Sequence, residues 1–311
     1  MLRTPVLFLV FNRPHTTQVV FEAIRKQQPT ELFIAADGPR HEEDRRNGDA
    51  VKEMILANID WHCTVKTLFR ETNLGCGRSV SSAISWFFEQ VEEGIILEDD
   101  CVPNDSFFQF CQTLLEIYRD DPRISAISGN NFQAQQPMPL EADYYFSIFP
   151  SSWGWATWRR AWTGFDLHLT NWPAQRRLDL GQSLFREKKY AYWWRERFDS
   201  FFRGKLEHTW DFQFHYLSMM RRQYAILPKA NLISNIGHGP DATHFMNPDS
   251  PFMHMPTYEL NVPLKHPASV SRHYEADLYH QQLLFGELEL VGPMKRLKRL
   301  VKRIIRYNQP A

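Results

Sequence analysis

Cysteine is scarce in this chain. Only Cys63, Cys76, Cys101 and Cys111 occur among 311 residues. They form no CxxC pair and no Cys/His zinc spacing, so neither a disulfide framework nor a zinc module is expected, and a reducing compartment is the simpler reading. Long apolar runs are missing as well. Val6 to Phe11 stops at Asn12-Arg13-Pro14, short of a signal-peptide core, and no stretch approaches the ~20 apolar residues of a membrane-spanning helix. Charge of one sign is also lacking, since 36 Lys and Arg balance 36 Asp and Glu; no global field favours nucleic acid or an acidic partner. These absences lead us to expect a cytoplasmic protein without a nucleic-acid partner.

What is present can build a large core. Hydrophobic residues make up 43% of the chain and aromatics 14%, which argues for one enlarged folded domain and against disorder. Short apolar runs alternate with segments of helical spacing. Val6 to Phe11, Glu31 to Ala36, Thr64 to Phe69 and Gly94 to Leu97 read as buried strands, and Thr16 to Gln27 and Ser79 to Val91 as helices between them. Such alternation predicts βαβ crossovers and a mainly parallel twisted sheet flanked by helices. In such a sheet ligands bind at the carboxyl ends of the strands, where Asn12-Arg13, Asp37-Gly38, Asn73 to Arg78 and Glu98 to Asp100 all fall. After about residue 145 the composition changes, with eight tryptophans between Trp153 and Trp210.

Glu98-Asp99-Asp100 is the most informative motif. Hard divalent cations take oxygen ligands, and Mg²⁺ or Mn²⁺ commonly uses one or two carboxylates plus substrate phosphates. The competing reading is a solvated acidic turn before a helix capped by Asn104 or Asp105. An EF-hand is excluded, because a loop starting at Asp99 would need an oxygen ligand at Cys101 and glycine at Asn104. Asn73 to Arg78 carries Gly75 and Gly77, which allow close backbone approach, and Arg78 could meet a diphosphate. It is neither a complete GxGxxG fingerprint nor a P-loop.

These residues carry a resemblance. IILEDDCVPNDSFFQF is similar to the EDD strand and helix of the GT-A N-acetylglucosaminyltransferases that begin complex N-glycans. The order continues with Pro5 to Arg13, ISAISGNN (124 to 131), PSSWGWATWRRAW (150 to 162), His208-Thr-Trp210-Asp211, and Ala225 to Asn235 with Gly237-His238-Gly239. Bacterial family-2-like sugar transferases share the same core. The chain departs from the family at Gly77, where the family has histidine, and at 163 to 207, which look like an insertion.

The resemblance implies a GT-A (nucleotide-diphospho-sugar transferase) fold with three parts: a nucleotide-sugar-binding half over 1–145, an aromatic-rich acceptor and catalytic-base half over 146–265, and a helical extension over 266–311. It implies an inverting hexosyl- or N-acetylhexosaminyltransferase that uses a UDP-sugar with Mn²⁺ or Mg²⁺, acting on a saccharide or lipid-linked acceptor in surface-polysaccharide or glycan biosynthesis. Carried over residue by residue, Asp100 is the metal ligand, Asp99 meets the ribose, Glu98 the donor sugar and Asp37 the base edge, while Asn12 and Arg13 line the nucleotide pocket. Asp211 is the general base, with an N-cap of the helix Phe212 to Arg221 as its rival role. Trp153, Trp155 and Trp210 would stack on sugar faces around Gly154. His238 and His244 sit in a Gly/Pro-rich loop and could reach phosphate or metal. Two other classes stay open: a sugar-nucleotide nucleotidyltransferase and a non-catalytic carbohydrate-binding protein on the same fold. Finally, Met294 to Tyr307 reads as a basic amphipathic helix suited to peripheral contact with the cytoplasmic face of the inner membrane, its rivals being a helix docked on the protein's own core and a solvated basic tail.

Overall fold

The computed structural model describes residues 1–133, 138–176, 184–204, 209–237 and 251–285. Its centre is an eight-stranded mixed sheet. The first four strands are β1 (Val6–Val10), β2 (Glu31–Ala36), β3 (Thr64–Phe69) and β4 (Glu93–Glu98). They alternate with helices α1 (Pro14–Gln27), α2 (Glu42–Ala57) and α3 (Cys76–Phe88). A short strand β5 (Cys101–Pro103) leads into α4 (Asp105–Ile117), and β6 (Ile124–Ser128), β7 (Tyr144–Ser147) and β8 (Trp155–Trp158) follow. Next come the short helices α5 (Arg159–Trp162) and α6 (Trp172–Gln175), then α7 (Lys188–Phe202) and α8 (Asp211–Met220). Strands β9 (Tyr224–Pro228) and β10 (Ile233–Asn235) and helix α9 (Tyr274–Phe285) complete the described elements.

Sheet order is β3-β2-β1-β4-β8-β6-β9-β7, and β5 pairs with β10 in a separate ribbon. β1 is parallel to both β2 and β4, and β2 to β3. β8 runs antiparallel between β4 and β6. Strands from before and after residue 145 therefore share one sheet.

Local chemistry accounts for the boundaries. Pro14 occupies the first turn of α1, where its missing N–H is not needed, so that helix starts ahead of the expected Thr16. Gly75, at φ 77°, turns the chain into α3, which begins at Cys76 rather than Ser79. Asn104 caps α4 by accepting from the Phe107 N–H at 3.1 Å, so the capping half of the rival reading of the acidic turn holds beside whatever the carboxylates do.

Alternate side chains of each central strand feed opposite faces. Val6, Phe8 and Val10 join α1, α2 and α4 in one buried cluster, and Leu7 and Leu9 join α3 and α8 in another. A third cluster, built on Phe149, Trp172, Trp194, Phe198 and Tyr216, holds the 163–207 region against α8 and α9. Here the indole N–H of Trp172 donates to Asp199 and that of Trp194 to Gln281, both at 2.8 Å. Most tryptophans of this region are thus core residues whose polar edge is satisfied.

Candidate functional site

The order β3-β2-β1-β4 reverses direction between β1 and β4, and register pairs Leu9 with Glu98. The loop after β1 therefore faces the turn after β4 at the strands' carboxyl ends. Arg13 bridges the two: its guanidinium pairs with Asp99 and, at 2.9 Å, with Asp100 Oδ2. The Phe11 N–H also donates to Asp99 Oδ2 at 3.2 Å. On the other flank, the β5–β10 ribbon places Asn235 so that its amide donates to Asp100 Oδ1 at 3.4 Å, and the Ile236 N–H donates to the Asp100 carbonyl at 2.9 Å. Gly237 closes over the same carboxylate, since a Cβ there would lie 2.1 Å from Asp100 Oδ2.

Charge at this point is unbalanced. Burial, then the like charges of Asp100 and Asp99, push the Glu98 carboxyl well above its usual range, against the pull of Arg13. Burial also raises Asp99, with Arg13 opposing. Burial disfavours the Arg13 charge, yet Asp99 and Asp100 more than offset it and hold the guanidinium protonated.

A cavity of about 390 Å³ opens from these residues. Arg13, Glu98, Asp100 and Asp211 share its wall with Trp153 and Trp210. Asp211 is the first residue of α8, and Trp210 holds the N-cap position; the expected N-cap role for Asp211 is thereby corrected by one residue. Its carboxylate lines the cavity, and its charge bears on Glu98.

Other expected site residues are placed differently. Trp155, expected at the acceptor face, is 1% exposed and stacks on Trp210 at 5.5 Å, inside the core rather than on the cavity wall. It packs there because β8 is an interior strand, with both neighbours occupied. Trp210 is itself 4% exposed, so only an edge can reach a ligand. Gly154, at φ 57°, accepts from the Gly129 N–H and leaves room for Ile233, whose Cδ1 would lie 2.4 Å from an added Cβ. Asp99, expected at a ribose, is 2% exposed and bound to Arg13. Asp37 accepts from the Asn73 amide and from the Leu74 and Gly75 N–H groups, each at 3.0 Å, and so fixes the glycine loop instead of facing the cavity. Asn12 donates to Asp44, and exposed Arg78 is not on the cavity wall. His238, His244 and the 294–307 segment lie outside the described residues.

Sequence reasoning missed Cys76, Phe132, Thr209, His215, Phe252 and His280, all on the wall. His215 had a usable signal, standing four residues beyond Asp211 on the same helical face. Cys76 and Thr209 likewise stand inside motifs already singled out, at 73–78 and 208–211, whereas Phe132, Phe252 and His280 come from distant segments that only the fold unites.

No family model matches the sequence, and no curated protein matches it. Among solved structures, HddC from Yersinia pseudotuberculosis aligns with a TM-score of 0.32 and 10% identity, covering 50% of this chain and 77% of that one. The same protein complexed with GMP-PN gives 0.31 and 10% over the same shares. Likeness at that level carries neither a fold family nor a function. Among the described residues, no helix is long and apolar enough to cross a membrane, and no group of three or more His, Cys, Asp or Glu side chains could hold a metal ion.

Proposed function

We propose that this chain is an inverting glycosyltransferase of GT-A type, moving a sugar from a nucleoside diphosphate sugar, UDP favoured, to a hydroxyl of a saccharide or lipid-linked acceptor. The observation that carries the reading is the meeting of Asp211 with Glu98 and Asp100 on one cavity wall, beside two indoles. One carboxylate from α8 faces two from the end of β4, as single-displacement transfer needs an acceptor base opposite a donor anchor. On this reading residues 1–145 bind the donor and the following half binds the acceptor.

A divalent ion, Mn²⁺ or Mg²⁺, fits the donor set. Glu98, Asp100 and Asp211 line the cavity with hard oxygen ligands against the single guanidinium of Arg13, and an ion that takes one or two carboxylates plus diphosphate oxygens needs no three-residue protein cage. Asp100 would hold it, released in part from Arg13; bound there, the ion would stabilise charge on the leaving diphosphate. Arg13 keeps Asp99 and Asp100 in place. Asp211 takes the proton from the attacking hydroxyl as that oxygen bonds to the anomeric carbon. Trp153 supplies the half-buried ring face against which a sugar can lie.

Calorimetry of UDP binding with and without Mn²⁺ tests the reading. Binding should require the ion and fall at least tenfold, about 1.4 kcal/mol, in Asp100→Ala. Equal affinity in both proteins would sink the metal role, and pyrophosphate rather than UDP among the products would move the chain to nucleotidyl transfer.

A further inference from the structure

Beyond Asp211 the cavity continues into an aromatic end that donor chemistry leaves unused. Phe132, Trp153, Phe212, Phe252 and Phe285 contribute half-buried rings there, and two imidazoles, His215 and His280, complete the wall. His215 is 8% exposed and His280 2%. His215 Nδ1 lies 3.0 Å from the carbonyl oxygen of Asp211. A carbonyl can only accept, so Nδ1 carries the hydrogen. The ring is stacked on Trp194 at 5.4 Å, close to Phe149 and Phe212, and no described carboxylate bonds it. Burial holds it neutral, below the usual histidine range. Its Nε2 therefore presents a lone pair, as an acceptor.

His280 lies flat on Phe149, ring centroids 5.0 Å apart and planes 9° from parallel, and burial, with His215 adding to it, takes its pKa down to about 3. Its Nδ1 is buried without a hydrogen-bond partner, and so is the hydroxyl of Thr209 on the same wall. Of the described buried side-chain atoms without a partner, these two belong to residues of the cavity wall, where a ligand would give both a partner. An anionic ligand would find no free countercharge there. The wall's only guanidinium or ammonium group among the described residues is Arg13, already bound to Asp99 and Asp100 at the other end. Aromatic wall residues with neutral hydrogen-bonding groups match a ring that has apolar C–H faces and a rim of hydroxyls.

We infer that His215 and His280 seat an uncharged sugar ring in the aromatic end of the cavity, with one ring hydroxyl donating to His215 Nε2. The seat selects neutral over charged acceptors, and its acceptor role rests on the glycosyl-transfer reading. His215 and Asp211 are one helical turn apart, so seat and base move as one rigid piece.

The full-length protein, labelled with ¹⁵N-histidine, is titrated with methyl β-glycosides of glucose, galactose and N-acetylglucosamine, and with glucuronate and glucose 6-phosphate as charged counterparts. The expected result is a saturable shift of the His215 Nε2 resonance by at least one neutral glycoside, with the charged sugars at least about tenfold weaker. His280→Phe keeps the stack on Phe149 and removes the polar edge, and should weaken the neutral glycoside about tenfold, the scale of one lost hydrogen bond to a buried group. No shift with any neutral glycoside, equal binding of charged sugars, or full affinity in His280→Phe overturns the seat. If that variant does not fold, the wild-type shift and selectivity decide alone. UDP binding with Mn²⁺ is read on the same samples: glycosides without UDP leave the seat standing and remove the donor reading, and UDP without glycosides does the reverse.

Discussion

At the strand-end side of the cavity, three adjacent carboxylates crowd around one guanidinium, whereas at the far side two neutral imidazoles stack among phenylalanines and tryptophans. Both sides bury ionisable groups, and burial acts on them with opposite sign. A buried acid resists losing its proton and a buried imidazole resists gaining one. The first side packs acidic groups against one guanidinium, and their oxygens suit a cation. The second has shed charge and keeps only hydrogen-bonding edges. The difference teaches that the two ends of one cavity carry unlike chemistry because each is built from a different part of the fold.

The largest effect expected from disturbing this contrast is at the aromatic side. Trp194 is 0% exposed and touches His215 and Phe149, so Trp194→Ala should cost about 3–5 kcal/mol in urea unfolding. A loss below about 1 kcal/mol would show that this cluster is not a core.

Next in size is the polar side. Asp211→Asn preserves shape and removes the base, and about 10²-fold or more should be lost from kcat with UDP affinity nearly unchanged. Turnover within a few-fold of wild type would leave Asp211 a helix-terminal residue only.

The smallest effect sharpens the contrast most directly. Glu98 and Asp99 have folded pKa values above their ordinary 4.5 and 3.8, so the folded state binds their protons more tightly, and the stability each contributes is lost as pH rises above its ordinary value. His280 has a folded value near 3 against 6.5, so its contribution is complete above 6.5 and is lost as pH falls below that. Each slope is bounded by about 1.4 kcal/mol per pH unit per proton. In chelator-containing buffer, Glu98→Gln should flatten the decline above pH 6.5, and His280→Phe the decline below pH 4.5. If either variant changes the opposite limb, the two ends are not electrostatically separate.

The first hundred residues were legible because each strand there is a short apolar run bounded by a turn signal, and a parallel sheet forces the ends of such runs to one edge. Hence Arg13, Glu98 and Asp100 were found together. The bonding of individual polar groups was not legible. Nothing in the sequence tells that Asp37 would be consumed by three donors of the 73–75 loop, or that Asp99 would turn inward to Arg13. Tryptophan identity was equally ambiguous. Trp153 and Trp155 are two residues apart, yet one lines the cavity and the other sits inside the sheet, a difference set by strand pairing beyond the reach of local pattern. His280 and Phe252 were invisible because the rings that place them on the wall, Phe149 and Phe132, lie more than a hundred residues away in sequence.

Trp155 and Trp210 stack at 5.5 Å with a 25° angle between their rings, and Trp210 is also cavity wall. Two indoles so close share their excited states, which makes the pair an exciton-coupled chromophore native to the protein. A ligand that tilts Trp210 would change the coupling of the two transition dipoles and, with it, the ultraviolet circular dichroism of the unlabelled chain.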